Sequence, residues 1–421
     1  MTIDPHPPSP WHDLTAADWQ ALAAEHGTPY YLFDADTVAR RIGAVRDAFE
    51  GQASVYYAVK CNPNLGLLRA LRPAVDGLDI SSGGELAQGL LAGHPAQRMS
   101  FAGPAKTESE LEAAIRAGVG GISVESLSEI EVCARVAARL GVRANILLRV
   151  NPLLPNRSYG VKMGGRPVQF GIDEEDLPKA ESRLLALSAQ LDFRGVHAYV
   201  GSQCFDPAAV AEATCNALRI ALELEQRTGL VCAKINLGGG FGVAHGQESK
   251  ELDLAALAEL LAPRLAAHRV ARPGCELIFE LGRYLTAQAG IYVTRAISRK
   301  TSRGKVFIGC DGGLNHHLAA AGTFGAALRG NFPLYNLTRP DAAPVACNIA
   351  GPSCNPTDLL GVEATLPDVA EQDLVGVAMS GSYGLTASPL LFLGRDSPVE
   401  LVRTAGRIVV GRSRHSITDF N

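Results

Sequence analysis

The chain predicts an α/β fold, a (β/α)8 TIM barrel followed by a mostly-β domain. Three observations carry this reading. From about residue 53, short β-rich runs alternate with longer helical patterns, the rhythm of a parallel sheet with crossover helices. Eight such runs follow one another without interruption, which fits a closed barrel better than an open sheet. After about Tyr284 the rhythm gives way to extended segments separated by Gly and Pro turns. A length of 421 residues also exceeds what one small core needs. We therefore read 1–34 as an N-terminal segment contributing to the β domain, 35–284 as the barrel and 285–421 as the C-terminal β domain.

In chain order, barrel strands are expected to begin near Ala53, Gly77, Arg98, Gly121, Arg143, Asp192, Lys234 and Cys275. Helical spacing of apolar residues marks Glu108–Ala117, Leu127–Leu140, Ala208–Thr228 and Leu252–His268 between them. The β domain is expected to hold Ile291–Ser298, Lys305–Cys310, Leu374–Ser380 and Val399–Val410 as extended segments.

Composition narrows the function. Thirty-nine basic against 43 acidic residues leave a formal charge of -4, with no global attraction to nucleic acid or an anionic membrane. A small-molecule site is the default. The opening MTIDPHPPSPWHDLT has four prolines and no apolar core segment, so it does not read as a secretory signal. No run reaches the ~18 apolar residues of a membrane helix. Nine cysteines with no Cys-x-x-Cys pair argue against a disulfide framework and a structural zinc site. A reduced, cytoplasmic protein is expected, in which one cysteine is free to serve as an acid.

In a barrel the chemistry sits where strands end, and polar residues fall at those positions. Lys60 follows the apolar run Ser54–Val59. It is either a side chain snorkelling to solvent or an amine held for Schiff-base chemistry. Asp79 and Glu85 flank the second strand, Arg149 closes the fifth, and Tyr199, Gly201 and Ser202 close the sixth. The Gly238-Gly239-Gly240-Phe241-Gly242 run closes the seventh. It lacks the dinucleotide spacing and is either a tight turn or a nest of amides for a phosphate. Glu280, Gly282 and Arg283 close the eighth. Glu280 either pairs with Arg283 or keeps a basic ring nitrogen protonated. A lysine, a phosphate cradle and such a carboxylate together describe pyridoxal 5′-phosphate.

The ordered set resembles the fold-type III pyridoxal-phosphate enzymes, specifically the ornithine/diaminopimelate decarboxylase family. The resemblance rests on Tyr57-x-Val59-Lys60-Cys61-Asn62, Asp79 with Glu85, Gly201-Ser202-Gln203, Gly238–Gly240, Glu280-x-Gly282-Arg283, Asp311-Gly312-Gly313, Gly351-Pro352-x-Cys354 with Asp358, and Gly381-Ser382-Tyr383-Gly384. It implies a barrel of alanine-racemase type fused to a β domain, in a homodimer whose active sites are each completed by Cys354 of the partner chain. It further implies that Lys60 carries the cofactor as an imine and that Glu280 pairs with the pyridinium nitrogen. Ser202, Gly240, Arg283 and Tyr383 are implied for the phosphate. Asp79, Arg149, Tyr199, Gly239 and Gly282 complete the cofactor site, and Cys354 is implied as proton donor. No metal is expected, since His316 and His317 are adjacent and would point apart on a strand.

Three departures bear on substrate. The ring-stacking histidine of the family is Tyr199 here, with His197 read as a core or strand-end residue. The acid after the catalytic cysteine, which holds a distal ammonium, is Asn355. The Arg-Pro-x-x-Tyr that grips diaminopimelate is absent from GGLNHHLAAAGTFGAALRGNFP. The stretches KMGGRPVQFGID and GSYGLTASPLLFLG look most like a sub-branch acting on glutamyl- or methylaspartyl-type groups on an acyl carrier protein, or on a citrate conjugate in siderophore assembly. The expected reaction is α-decarboxylation of such a tethered amino acid in a secondary-metabolite pathway. The alternative is a free amino acid such as diaminopimelate, ornithine or lysine. Asp311, Arg329, Asn355 and Asp358 are the expected substrate residues. The basic strip Arg295, Arg299, Lys300, Arg303 and Lys305 is either a solvated turn or a docking face for an acidic carrier. A racemase and a non-catalytic binding homologue are weighed and disfavoured, because the Cys354 motif belongs to decarboxylases and Lys60, Glu280 and Arg283 are all retained.

Overall fold

The computed structural model describes residues 10–154, 158–244, 251–322 and 330–420. Eight parallel strands close into a barrel: Ser54–Ala58, Gly77–Ile80, Met99–Phe101, Gly121–Val124, Ala144–Asn151, Leu191–Ala198, Lys234–Gly239 and Glu276–Leu281. Closure comes from pairing of the last strand with the first, Ile278 opposite Ser54 through Leu281 opposite Tyr57. Each strand begins within one residue of the expected position. The strands are short apolar runs buried on both faces, as a parallel sheet covered by helices demands.

The crossover helices start and stop where their ends can be satisfied. Helix Glu108–Ala117 is opened by a capping box between Thr107 and Glu110 and closed by Gly118 at φ 72°. Helix Leu127–Leu140 begins at Ser126, whose hydroxyl accepts from the Glu129 amide, ends at Gly141 in the left-handed region, and buries Ile130, Cys133, Ala134, Val136 and Ala137. The two longest described helices run Pro207–Thr228 and Leu254–Ala271, the latter shifted from the expected Leu252–His268 because the Asp253 side chain caps it at Ala256.

The β domain is organised around the long strand Gly290–Ser302, which pairs with Lys305–Cys310 and Leu374–Ala378. The N-terminal strand Tyr30–Asp34 lies in this same sheet, antiparallel to Gly290–Val293 and parallel to Val399–Arg403. Its five residues are all buried. The segment expected as one extended run, Val399–Val410, is instead a hairpin of Val399–Thr404 and Arg407–Arg412. Ala405 and Gly406 both have positive φ, 48° and 73°, and form a two-residue turn that lets the strand fold back. A small second core behind the sheet holds Trp11, Trp19, Tyr30, Leu32, Ile291, Val293 and Leu401. Among the described residues, no helix is long and apolar enough to cross a membrane.

Candidate active site

The first barrel strand ends at Ala58, and a single 3-10 turn, Val59–Cys61, carries the next residues. Val59 and Cys61 are buried beneath it, so Lys60 between them is turned into the barrel mouth. Its Nζ donates to Oδ2 of Asp79 at 2.7 Å. Asp79 is fully buried at the end of the second strand, opposite Ala58 in register. Burial pulls the Lys60 ammonium down, yet Asp79 and Glu280 outweigh it and hold the amine well above its ordinary value. Water reaches 39% of that side chain through the mouth, which weakens the burial cost further. The snorkelling reading therefore fails, because Lys60 is held in a charge pair inside the site.

Two carboxylates, Asp79 and Glu280, face this one lysine. Burial and the charge of Glu280 push Asp79 up, with Lys60 opposing. Burial also acts against ionised Glu280, but His197, Lys60 and Arg149 overcome it and bring the carboxyl well below the usual range. Of the two carboxyls, Glu280 is the one whose surroundings favour the anion most. Its Oε1 lies 3.3 Å from Nε2 of His197, and its Oε2 accepts from Nδ2 of Asn236 at 2.9 Å. It does not pair with Arg283. Neither neighbour is among the expected site residues: the sequence reads His197 as a core or strand-end histidine, and Asn236 stands two residues before the glycine run with no signal of its own.

Arg149 lies close enough for its charge to act on Glu280. It pairs with Glu125 at 2.8 Å, and its guanidinium lies 5.0 Å from the Phe170 ring. Glu85 is turned toward its own helix, where Oε2 accepts from the Ser81 amide at 2.6 Å.

Across the mouth a cradle of backbone and small side chains has formed. Gly238 and Gly240 adopt φ of 70° and 77°. A Cβ on Gly240 would come within 2.0 Å of the Gly201 carbonyl oxygen, and one on Gly239 within 2.2 Å of the Glu280 carbonyl. Only glycine permits the seventh strand to end in this tight loop beside Ser202. Ser202 itself is held by the short strand Gly201–Cys204, which pairs with Tyr159–Lys162. Arg283 follows the eighth strand, stacks its guanidinium 4.5 Å from the Tyr383 ring, and leaves its buried Nε without a partner. The buried Ser382 Oγ is also unpartnered. Lys60, Tyr199, Ser202, Gly240, Glu280, Arg283 and Tyr383 line one pocket. Unsatisfied donors, an arginine and a glycine cradle at one end, with a lysine and an ionised carboxylate beyond them, suit pyridoxal 5′-phosphate.

The residues expected to meet substrate are distributed differently. Cys354 is exposed and lies outside that pocket. Asp358 is buried and accepts from the amides of Leu314 at 2.6 Å and Ser353 at 2.9 Å, so it fixes the Cys354 loop instead of presenting a free carboxylate. Asp311 is likewise committed, to Thr294, the Arg295 amide and Thr28. Asn355 accepts from the Thr357 amide and hydroxyl. Arg329 lies outside the described residues. In the basic strip, Arg299 pairs with Asp368, Lys305 with Glu363, and Arg295 donates to the Gln372 carbonyl, leaving a less positive face than the sequence implied. His316 and His317 occupy a turn, not a strand, and bond separate partners, Asp396 and Ser380.

A cavity of about 630 Å3 on the barrel flank, against helices Pro207–Thr228 and Leu254–Ala271, holds none of these groups. Chemistry, not size, identifies the site.

Residues 35–287 match the pyridoxal binding domain of the pyridoxal-dependent decarboxylases. The chain is 36% identical over 414 residues to the L-glutamyl-(BtrI acyl-carrier protein) decarboxylase of Niallia circulans, covering 97% of this chain and 96% of that protein. It is 30% identical over 406 residues to the diaminopimelate decarboxylase of Zymomonas mobilis, covering 95% and 93%. The crystal structure of diaminopimelate decarboxylase from Helicobacter pylori complexed with L-lysine superposes with a TM-score of 0.85 at 27% identity, over 95% of this chain and 98% of that one.

Proposed function

Because the chain belongs to the pyridoxal-dependent decarboxylase family, and is thus an amino-acid decarboxylase using pyridoxal 5′-phosphate, we propose that its substrate is an amino acid of glutamyl or methylaspartyl type carried on an acyl carrier protein. The observation that carries the substrate reading is the near full-length similarity to a carrier-protein decarboxylase, above that to the diaminopimelate enzymes. Asn355 supports it. An amide whose oxygen is already taken by Thr357 offers no charge to a distal ammonium.

The geometry supports a set of roles. Lys60 would hold the cofactor at its aldehyde carbon, with Asp79 orienting the amine. Ser202, Gly240, Arg283 and Tyr383 would receive the phosphate, with Gly239, Gly282 and Tyr199 completing the cofactor site. Glu280 would keep the ring nitrogen protonated. Bound there, the cofactor supplies an electron sink for the pair left on the α-carbon when CO2 departs. Cys354 gives its thiol proton to that carbon and recovers one from solvent, to which it is open. An exposed thiol outside the pocket fits a homodimer in which each Cys354 serves the other chain's site. Nine free cysteines suit a reduced cytoplasm.

The test is intact mass spectrometry of carrier proteins loaded with glutamate or methylaspartate, with free glutamate, ornithine and diaminopimelate in parallel. Loss of CO2 from the loaded carriers supports the reading. Turnover of free diaminopimelate or ornithine alone would replace it with the second reading, which the diaminopimelate relatives favour. A citrate-conjugated substrate is the remaining variant.

A further inference from the structure

His197 is completely buried at the end of the sixth strand, opposite Arg149 on one side and Asn236 on the other. Its two ring nitrogens are both engaged. Nδ1 lies 2.9 Å from Oγ of Ser123, itself fully buried on the fourth strand, and Nε2 lies 3.3 Å from Oε1 of Glu280. The other oxygen of Glu280 accepts from Asn236. Each carboxylate oxygen thus has one partner, and the two partners come from adjacent strands on one side of the barrel.

The proton positions follow from the partners. An ionised carboxylate only accepts, so Nε2 must carry a hydrogen. In the neutral ring Nδ1 then accepts, and the Ser123 hydroxyl is the group that donates to it. A serine at this place selects the tautomer that keeps Nε2–H pointed at Glu280. The charged groups around the carboxylate are Lys60, Asp79 and Arg149. None of these makes a hydrogen bond to Glu280 itself among the described residues.

We infer that His197 is a positioning residue: with Asn236 it locks the Glu280 carboxylate as an oriented anion, and Ser123 sets the tautomer that allows it. This rests on the reading that Glu280 meets the cofactor's ring nitrogen, and it adds the residues that make Glu280 competent. Burial alone would favour the neutral acid, which cannot hold a ring nitrogen protonated.

The test uses holoenzyme of His197→Leu, His197→Gln and Ser123→Ala. Its readouts are cofactor dissociation, the pH dependence of the bound cofactor's visible absorbance, and kcat against KM. His197→Leu is expected to weaken cofactor binding and kcat by about 10- to 100-fold, the size of one hydrogen bond to a charged group, with KM little changed. Its absorbance should titrate with pH where the wild type is flat. His197→Gln, which keeps a donor, should recover most of both. Ser123→Ala should show a smaller shift in the same direction. Wild-type affinity and a flat absorbance in His197→Leu would overturn the proposal. If that variant does not fold, unchanged absorbance, affinity and kcat in Ser123→Ala would overturn it instead. A wild-type protein with no visible cofactor band would overturn the cofactor site on which the proposal rests, a result distinct from either.

Discussion

The backbone amide of Tyr383 donates to the carbonyl of Cys61 at 2.7 Å, and this bond joins the β domain to the turn that presents Lys60. The Asn62 side chain donates to the Gly381 carbonyl at 3.1 Å in the same seam. Tyr383 holds a positive φ of 53° to make this approach, a conformation an L-residue adopts only when its surroundings compel it. The lysine and the ring lying over Arg283 are therefore set by one another.

Lys60→Ala is expected to abolish both the visible absorbance of bound cofactor and turnover. Absorbance spectroscopy after gel filtration with excess cofactor checks it. A retained band would place the imine on another lysine.

Cys354→Ala should keep the band and lose about 10²- to 10⁴-fold in turnover, the usual cost of removing a general acid. Mixing it with Lys60→Ala protein should restore part of the activity if the two chains share their sites. No recovery in the mixed sample would argue that each chain is self-sufficient.

Gly240→Ala is expected to cost about 1–3 kcal/mol at a strained backbone position and to weaken cofactor binding. The new methyl would meet the Gly201 carbonyl within 2.0 Å. Fluorescence-monitored denaturation and cofactor titration test this, and wild-type values in both would show that the loop has room to move.

Glu85 provides a pH dependence. Burial and the charge of Asp79 raise its carboxyl to about 7 from an ordinary 4.5, against the pull of the Ser81 amide. A raised value means the folded chain holds this proton more tightly than the unfolded chain. Its contribution is complete below 4.5 and is lost as pH rises through 7. Glu85→Gln should flatten that part of the melting-temperature profile by about a few degrees. Parallel wild-type and variant profiles would rule the assignment out.

Much of the fold was legible because each barrel strand is an apolar run bounded by turn residues, and the helices marked out in the sequence begin at a capping Ser, Thr or Asp. The Ala405-Gly406 turn was not, since Ala at positive φ gives no signal of its own. Lys60, Glu280 and the glycine loop could be placed at strand ends from the sequence, and the structure gathers them around one pocket. The Glu280 contact of His197 could not be read, because a buried histidine paired with a carboxylate has the same local sequence as one packed in a core. Nor could the amide partners of Asp311 and Asp358, since an acid's letter does not say whether its oxygens are already taken by backbone amides.

The strand Tyr30–Asp34 leaves the ribosome before any barrel strand, yet its partners Gly290–Val293 and Val399–Arg403 are made only after the whole barrel. During synthesis it must therefore wait as an apolar, unpaired edge while some two hundred and fifty intervening residues, roughly the family-matched 35–287, are translated. The nascent chain is exposed to aggregation at that stage, and truncations just short of Val399 should depend on holdase chaperones more than the full-length chain does.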